Sequence, residues 1–77
     1  MRSFNLSLNN SVSGVQDFVN IVCKYSYEVD LISGRYVVDA KSIMGIFSLD
    51  LSKPIKIEIH SDDCDDFIAA IRKYITD

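Results

Sequence analysis

From Pro54 to His60 the sequence PIKIEIH alternates apolar and polar residues without a break, and from Cys64 to Ile75 the apolar spacing changes to threes and fours. A period of two puts Ile55, Ile57 and Ile59 on one face of a strand and Lys56, Glu58 and His60 on the other. The longer period lines Cys64, Phe67, Ile68, Ile71, Tyr74 and Ile75 along one stripe of a helix. Each element has a single apolar side to remove from water, so the chain is constrained to stack helices on a sheet.

The rest of the chain supplies matching parts. Phe4, Leu6 and Leu8 alternate with Ser3, Asn5 and Ser7, which predicts a first strand. Val12, Val15, Phe18, Val19, Val22 and Cys23 recur at helical spacing with Gln16, Asp17, Asn20 and Lys24 opposite them, which predicts a first helix. Its start is open between two caps: Ser11 and Ser13 each offer a side-chain oxygen to the first turn, and Ser13 with Gln16 makes a capping box. Tyr25, Tyr27, Val29 and Leu31 then alternate with Ser26, Glu28 and Asp30, and Ser33-Gly34 predicts a tight turn into RYVVD, completing a hairpin. Ile43 to Leu49 has room for one or two helical turns before DLSKP breaks the pattern and Pro54 opens the last strand. Asp62, Asp63, Asp65 and Asp66 crowd the start of the last helix and Arg72 and Lys73 its end, as the helix dipole favours. The predicted order is β-α-β-β-α-β-α, an α+β open-faced two-layer sandwich whose four-stranded antiparallel sheet is covered by helices on one face.

With 77 residues there is room for one core, and the expectation is one domain over residues 1–77. Hydrophobic residues make up 48% of the chain, too many for a disordered one. Eight basic residues against eleven acidic give a net charge of -3, and the basic ones are scattered. No basic stripe exists to neutralise phosphates, so nucleic acid is not an expected partner. The N-terminus alternates where a signal peptide would run apolar, and no stretch approaches membrane-spanning length, so a cytoplasmic protein without membrane contact is expected. Cys23 and Cys64 lack C-x-x-C spacing and read as reduced, buried thiols. The aspartates from Asp62 to Asp66 lack the glycine and glutamate spacing of a calcium loop, so neither a metal nor a cofactor is expected.

The element order, taken with KSIMGIFSLDL, resembles the HPr family, the histidine-containing phosphocarrier proteins of the bacterial sugar phosphotransferase system. The resemblance covers nearly the whole chain. Its most specific part is Lys41-Ser42-Ile43-Met44-Gly45 followed by Ser48 and Leu49, similar to the serine-site motif of HPr proteins from Gram-positive bacteria. The resemblance implies an HPr-like fold, no enzymatic activity, Ser42 as a regulatory phosphorylation position and Ile43, Met44 and Phe47 as partner-binding residues. Core burial is the other reading of this apolar group; it is preferred for Ile46 and Leu49, and partner contact for Ile43 and Phe47. The family's carrier loop has glycine, an aliphatic residue, histidine, a small residue, arginine and proline in succession. Aligned through the first helix, those positions hold Asn9, Asn10, Ser11, Val12, Ser13 and Gly14, so Ser11, Ser13 and Gly14 are degenerate carrier-site positions. A hydroxyl supplies neither an imidazole nucleophile nor a guanidinium fork. His60, the only histidine, reads as a solvent-facing strand residue.

Ser42 is also a good helix cap on local grounds, and the two roles are compatible: a phosphate there adds about -1.5 to -2 of charge where the helix dipole favours an anion. Three functions stay open. The first is a regulatory adaptor without carrier activity, similar in its missing histidine to the catabolite-repression homologue of HPr. Its partners would be proteins of the sugar phosphotransferase or catabolite-regulation system. The second is a phosphocarrier using a non-standard residue, and the third a repurposed paralogue using neither site.

Overall fold

The computed structural model describes residues 1–8 and 11–76, and the expectations placed on Asn9 and Asn10 lie outside them. Four strands, β1 (Arg2–Leu6), β2 (Val29–Ser33), β3 (Tyr36–Asp39) and β4 (Ile55–Ile59), alternate with α1 (Val12–Val22), α2 (Ile43–Phe47) and α3 (Asp65–Ile71) in the predicted order. A 3-10 turn, Arg72–Tyr74, extends α3. The strands form one antiparallel sheet in the order β1-β4-β2-β3. The result is the expected α+β sandwich.

Register follows from the alternation. Phe4, Ile57, Leu31 and Val38 lie opposite one another across the four strands, on the face that packs under the helices. A one-residue slip of β4 would turn Ile55, Ile57 and Ile59, all fully buried, out to water. The helices close the core with Val15, Phe18 and Val22 from α1, Ile46 from α2, and Phe67 and Ile71 from α3, none exposed. Phe18 meets Tyr74 edge-on at 5.4 Å, joining α1 to the end of α3. The uncovered face carries Ser3, Asn5, Asp30, Ile32, Val37, Asp39, Lys56 and Glu58, as the opposite parity of the same registers requires.

Several local expectations change at the boundaries of the elements. Ser11, not Ser13, caps α1: its backbone is extended and its side chain accepts the Gly14 N–H at 3.2 Å. Val12 and Cys23, assigned to the apolar stripe of α1, are both exposed. Val12 is the first helical residue and Cys23 follows the last, so each overhangs the end of the core. The tight turn is one residue later than predicted, because Ser33 pairs with Tyr36 and leaves Gly34-Arg35 as the loop. Gly34 has φ 61°, left-handed backbone that glycine adopts without steric cost. α2 ends at Phe47, two residues early, where the Ser48 hydroxyl donates to the Gly45 carbonyl at 2.5 Å.

The largest departure is at Tyr25 and Tyr27, which precede β2 instead of belonging to it. Their rings stack on each other at 6.1 Å and meet the Phe67 ring at 5.2 and 5.9 Å. Aromatic packing against α3 takes the place of strand pairing here, and alternation alone does not distinguish the two. Tyr27 also donates its hydroxyl to the Asp66 carboxylate at 2.9 Å and to the Asp63 carbonyl at 3.2 Å. The hydrogen bond to Asp66, with nearby acidic charge, pushes the phenol up to about 12 from its ordinary 10.0. A phenol held neutral by the fold contributes stability in full below its unfolded pKa, and the contribution is lost as pH rises through the folded value. Stability should therefore fall between about pH 10 and 12 in step with tyrosinate absorbance, and Tyr27→Phe should flatten that loss. An unchanged alkaline profile in the variant would disprove the coupling.

Candidate functional site

α2 is five residues long and too short to be stable alone, so its position depends on its ends. Ala40, fully buried, donates its N–H to the Val29 carbonyl and continues β3 toward the helix. Asp39 then turns the chain: its carboxylate accepts the Lys41 N–H at 2.8 Å and its carbonyl the Ser42 N–H at 2.9 Å. Ser42 caps α2 from an extended backbone, its hydroxyl oxygen accepting the Gly45 N–H at 3.2 Å, and the residue is exposed. Gly45 makes that approach possible, because a Cβ there would lie 3.2 Å from Ser42 Oγ and 3.3 Å from Val38 Cβ. The serine is thus both a structural cap and open to solvent.

The apolar residues around it divide. Ile46 and Leu49 are buried, as expected. Met44 is 77% and Phe47 38% exposed. Ile43 is half-buried against the core, so it presents only part of its surface. α1 and α2 pack on each other, and Val12, the first residue of α1, is exposed although its helical spacing had pointed inward. Sequence periodicity missed Val12 because the end of a core leaves no mark in the period.

At the start of α1, Ser11 and Ser13 place their hydroxyls 3.1 Å apart, and the first turn holds no acidic residue. Gly14 serves there as the donor to the cap, and a Cβ on it would come 3.1 Å from the Leu8 carbonyl oxygen. His60 is elsewhere. Its N–H continues the β2–β4 pairing to Glu28, and its imidazole Nε2 lies 2.8 Å from the carboxylate of Asp30 on the uncovered face. Cys64 is buried, which raises its thiol pKa, and Cys23 is exposed, against the expectation of two buried thiols. Among the described residues no group of three or more histidine, cysteine or acidic side chains is arranged to hold a metal ion, and no helix is long and apolar enough to cross a membrane.

Residues 14–77 match the family model of the PTS HPr component phosphorylation site. The chain belongs to the HPr family. Among solved structures, this HPr protein is similar to HPr-C-His from Thermoanaerobacter tengcongensis, with 28% identity, a TM-score of 0.81, and coverage of 97% of this chain and 91% of that one. It is similar also to the phosphocarrier protein HPr from Bacillus anthracis, with 25% identity, a TM-score of 0.72, and coverage of 97% and 94%. The histidine-containing phosphocarrier protein of a Mycoplasma shares the fold, with 20% identity, a TM-score of 0.69 and coverage of 94% and 86%. Among curated proteins, none matches the sequence significantly. HPr proteins are phosphocarriers rather than enzymes, and the match to the family model begins at Gly14, after Ser11 and Ser13.

Proposed function

We propose that this HPr protein is a regulatory adaptor of the cytoplasmic sugar phosphotransferase system, without phosphocarrier activity, controlled by phosphorylation of Ser42. The observation that carries the reading is an exposed, helix-capping serine followed, two and five residues along the same short helix, by the exposed Met44 and Phe47. A phosphoserine adds charge and three strong acceptor oxygens, so a basic partner surface gains charge-assisted hydrogen bonds. Met44, Phe47 and the exposed part of Ile43 supply desolvated contact beside them. The carrier role is disfavoured by chemistry: Ser11 and Ser13 bring no imidazole, and a serine phosphate is a stable ester where the family passes on a labile phosphoramidate.

The test is incubation with an HPr serine kinase and ATP, followed by mapping of the phosphate. One phosphate on Ser42, absent from Ser42→Ala, is the expected result. That variant should lose only the cap, about 1 kcal/mol, and remain folded. Binding of the unmodified and phosphorylated chains to proteins of the sugar system is then compared. Identical affinities would reduce Ser42 to a helix cap and favour a repurposed paralogue.

A further inference from the structure

The two edges of the sheet differ. Beside β1 runs the end of the chain, where Leu6 bridges Ile75, Ser7 N–H donates to the Tyr74 carbonyl at 2.8 Å and Thr76 N–H to the Asn5 carbonyl at 2.9 Å. β3 is the other edge, with Tyr36 and Val37 70% and 61% exposed. We propose that β3 is a self-association edge, pairing antiparallel with β3 of a second copy about a two-fold axis through Val37.

The backbone sets the register. Tyr36 pairs with Ser33, Val38 with Leu31, and Ala40 N–H bonds Val29, so the polar groups of residues 36, 38 and 40 point toward β2. By alternation those of Val37 and Asp39 point outward, and the Asp39 carbonyl already accepts the Ser42 N–H. Val37 is therefore the residue with both groups available to a new strand, and two copies can exchange both bonds only if Val37 faces Val37.

That register is self-complementary in side chains as well. It places Arg35 opposite the second copy's Asp39, twice by symmetry, and Tyr36 opposite the second copy's Val38 on the helix-covered side. On the uncovered face Ile32 already lies directly opposite Val37, so the seam joins an apolar row of Ile32, Val37 and their two counterparts between the ion pairs. Unassociated edges are usually protected by lysine, proline or a bulge, and the four residues of β3, YVVD, have no lysine or proline. A foreign strand would gain the same backbone bonds. Only a second copy brings the matching aspartate and valine in one register. A four-residue seam is short, so the dimer is weak and concentration-dependent.

Sedimentation equilibrium from about 10 μM to about 1 mM should show reversible monomer–dimer exchange, with Val37 amide exchange slowing as dimer forms. Val37→Lys sets two ammonium groups face to face and should weaken association at least about tenfold, while circular dichroism shows the fold unchanged. Arg35→Glu and Asp39→Lys should each weaken it alone, and an equimolar mixture should restore it, because only the mixed pair has opposite charges at both ends. If Asp39→Lys does not fold, for want of the acceptor for Lys41 N–H, Val37→Lys carries the test. A monomer throughout the range, association indifferent to Val37→Lys, or a mixture no stronger than its components would overturn the proposal and leave the edge to another strand.

Discussion

Phe67→Ala should lower the unfolding free energy by about 3–5 kcal/mol, the range for emptying a buried aromatic site. A domain of this size holds roughly 4–12 kcal/mol in total, so the variant loses a large fraction of its stability. The size of the effect comes from where the ring sits. Phe67 is fully buried on α3, and the rings of Tyr25 and Tyr27 pack against it from the segment joining α1 to β2. Truncation leaves both tyrosines without their apolar support and loosens the hydrogen bond from Tyr27 to Asp66 that ties the same segment to the helix. Met44→Ala is the control, because a side chain 77% exposed is worth less than about 0.5 kcal/mol. Urea denaturation compares the two directly. A loss below about 1 kcal/mol for Phe67→Ala would mean that the ring is not enclosed as described.

Phe67 also shows what could be read from the chain. Its place on a helical stripe with Ile68 and Ile71 was legible, since one turn of helix and one side of a core are local facts. The cap at Ser42 was legible for the same reason: a short polar side chain before an apolar run answers a need that every helix start has. Tyr25 and Tyr27 were misassigned because alternation tells where side chains point and not whether the backbone has a neighbour to pair with. Val12 and Cys23 were misassigned because a period carries no end, and the core stops at Val15 on one side and Val22 on the other. Strand order lies further still from local pattern. Nothing between Arg35 and Asp39 announces that β3 closes the sheet on one side, so the exposure of Tyr36 and Val37 became visible only in the fold.

Neither the unmodified chain nor its His60→Ala variant should take up acid-labile phosphate from the phosphoenolpyruvate-dependent enzyme of the sugar system. The resemblance to the family puts its carrier imidazole at the position of Ser11, whose side-chain oxygen accepts the Gly14 N–H. A serine hydroxyl is a weak nucleophile without an adjacent base, and among the described residues Ser11 Oγ meets the hydroxyl of Ser13, which is not one. His60 lies on the uncovered face of the sheet with Nε2 2.8 Å from Asp30, whereas α1, where the resemblance puts the carrier position, packs on the other face. Restoring the loop tests whether only the chemistry has been lost. Ser11→His with Ser13→Arg and Gly14→Pro removes the cap hydrogen bond, at about 1 kcal/mol, and the added ring must clear the Leu8 carbonyl that stands 3.1 Å from the Cβ position. The folded triple variant should accept phosphate at residue 11 in a form that acid releases, and should keep it when His60→Ala is added. Uptake by the unmodified chain that disappears with His60→Ala would make His60 the carrier and refute the adaptor reading. No uptake by the folded triple variant would argue that the partner-binding role proposed for Ile43, Met44 and Phe47 is absent, and not the imidazole alone.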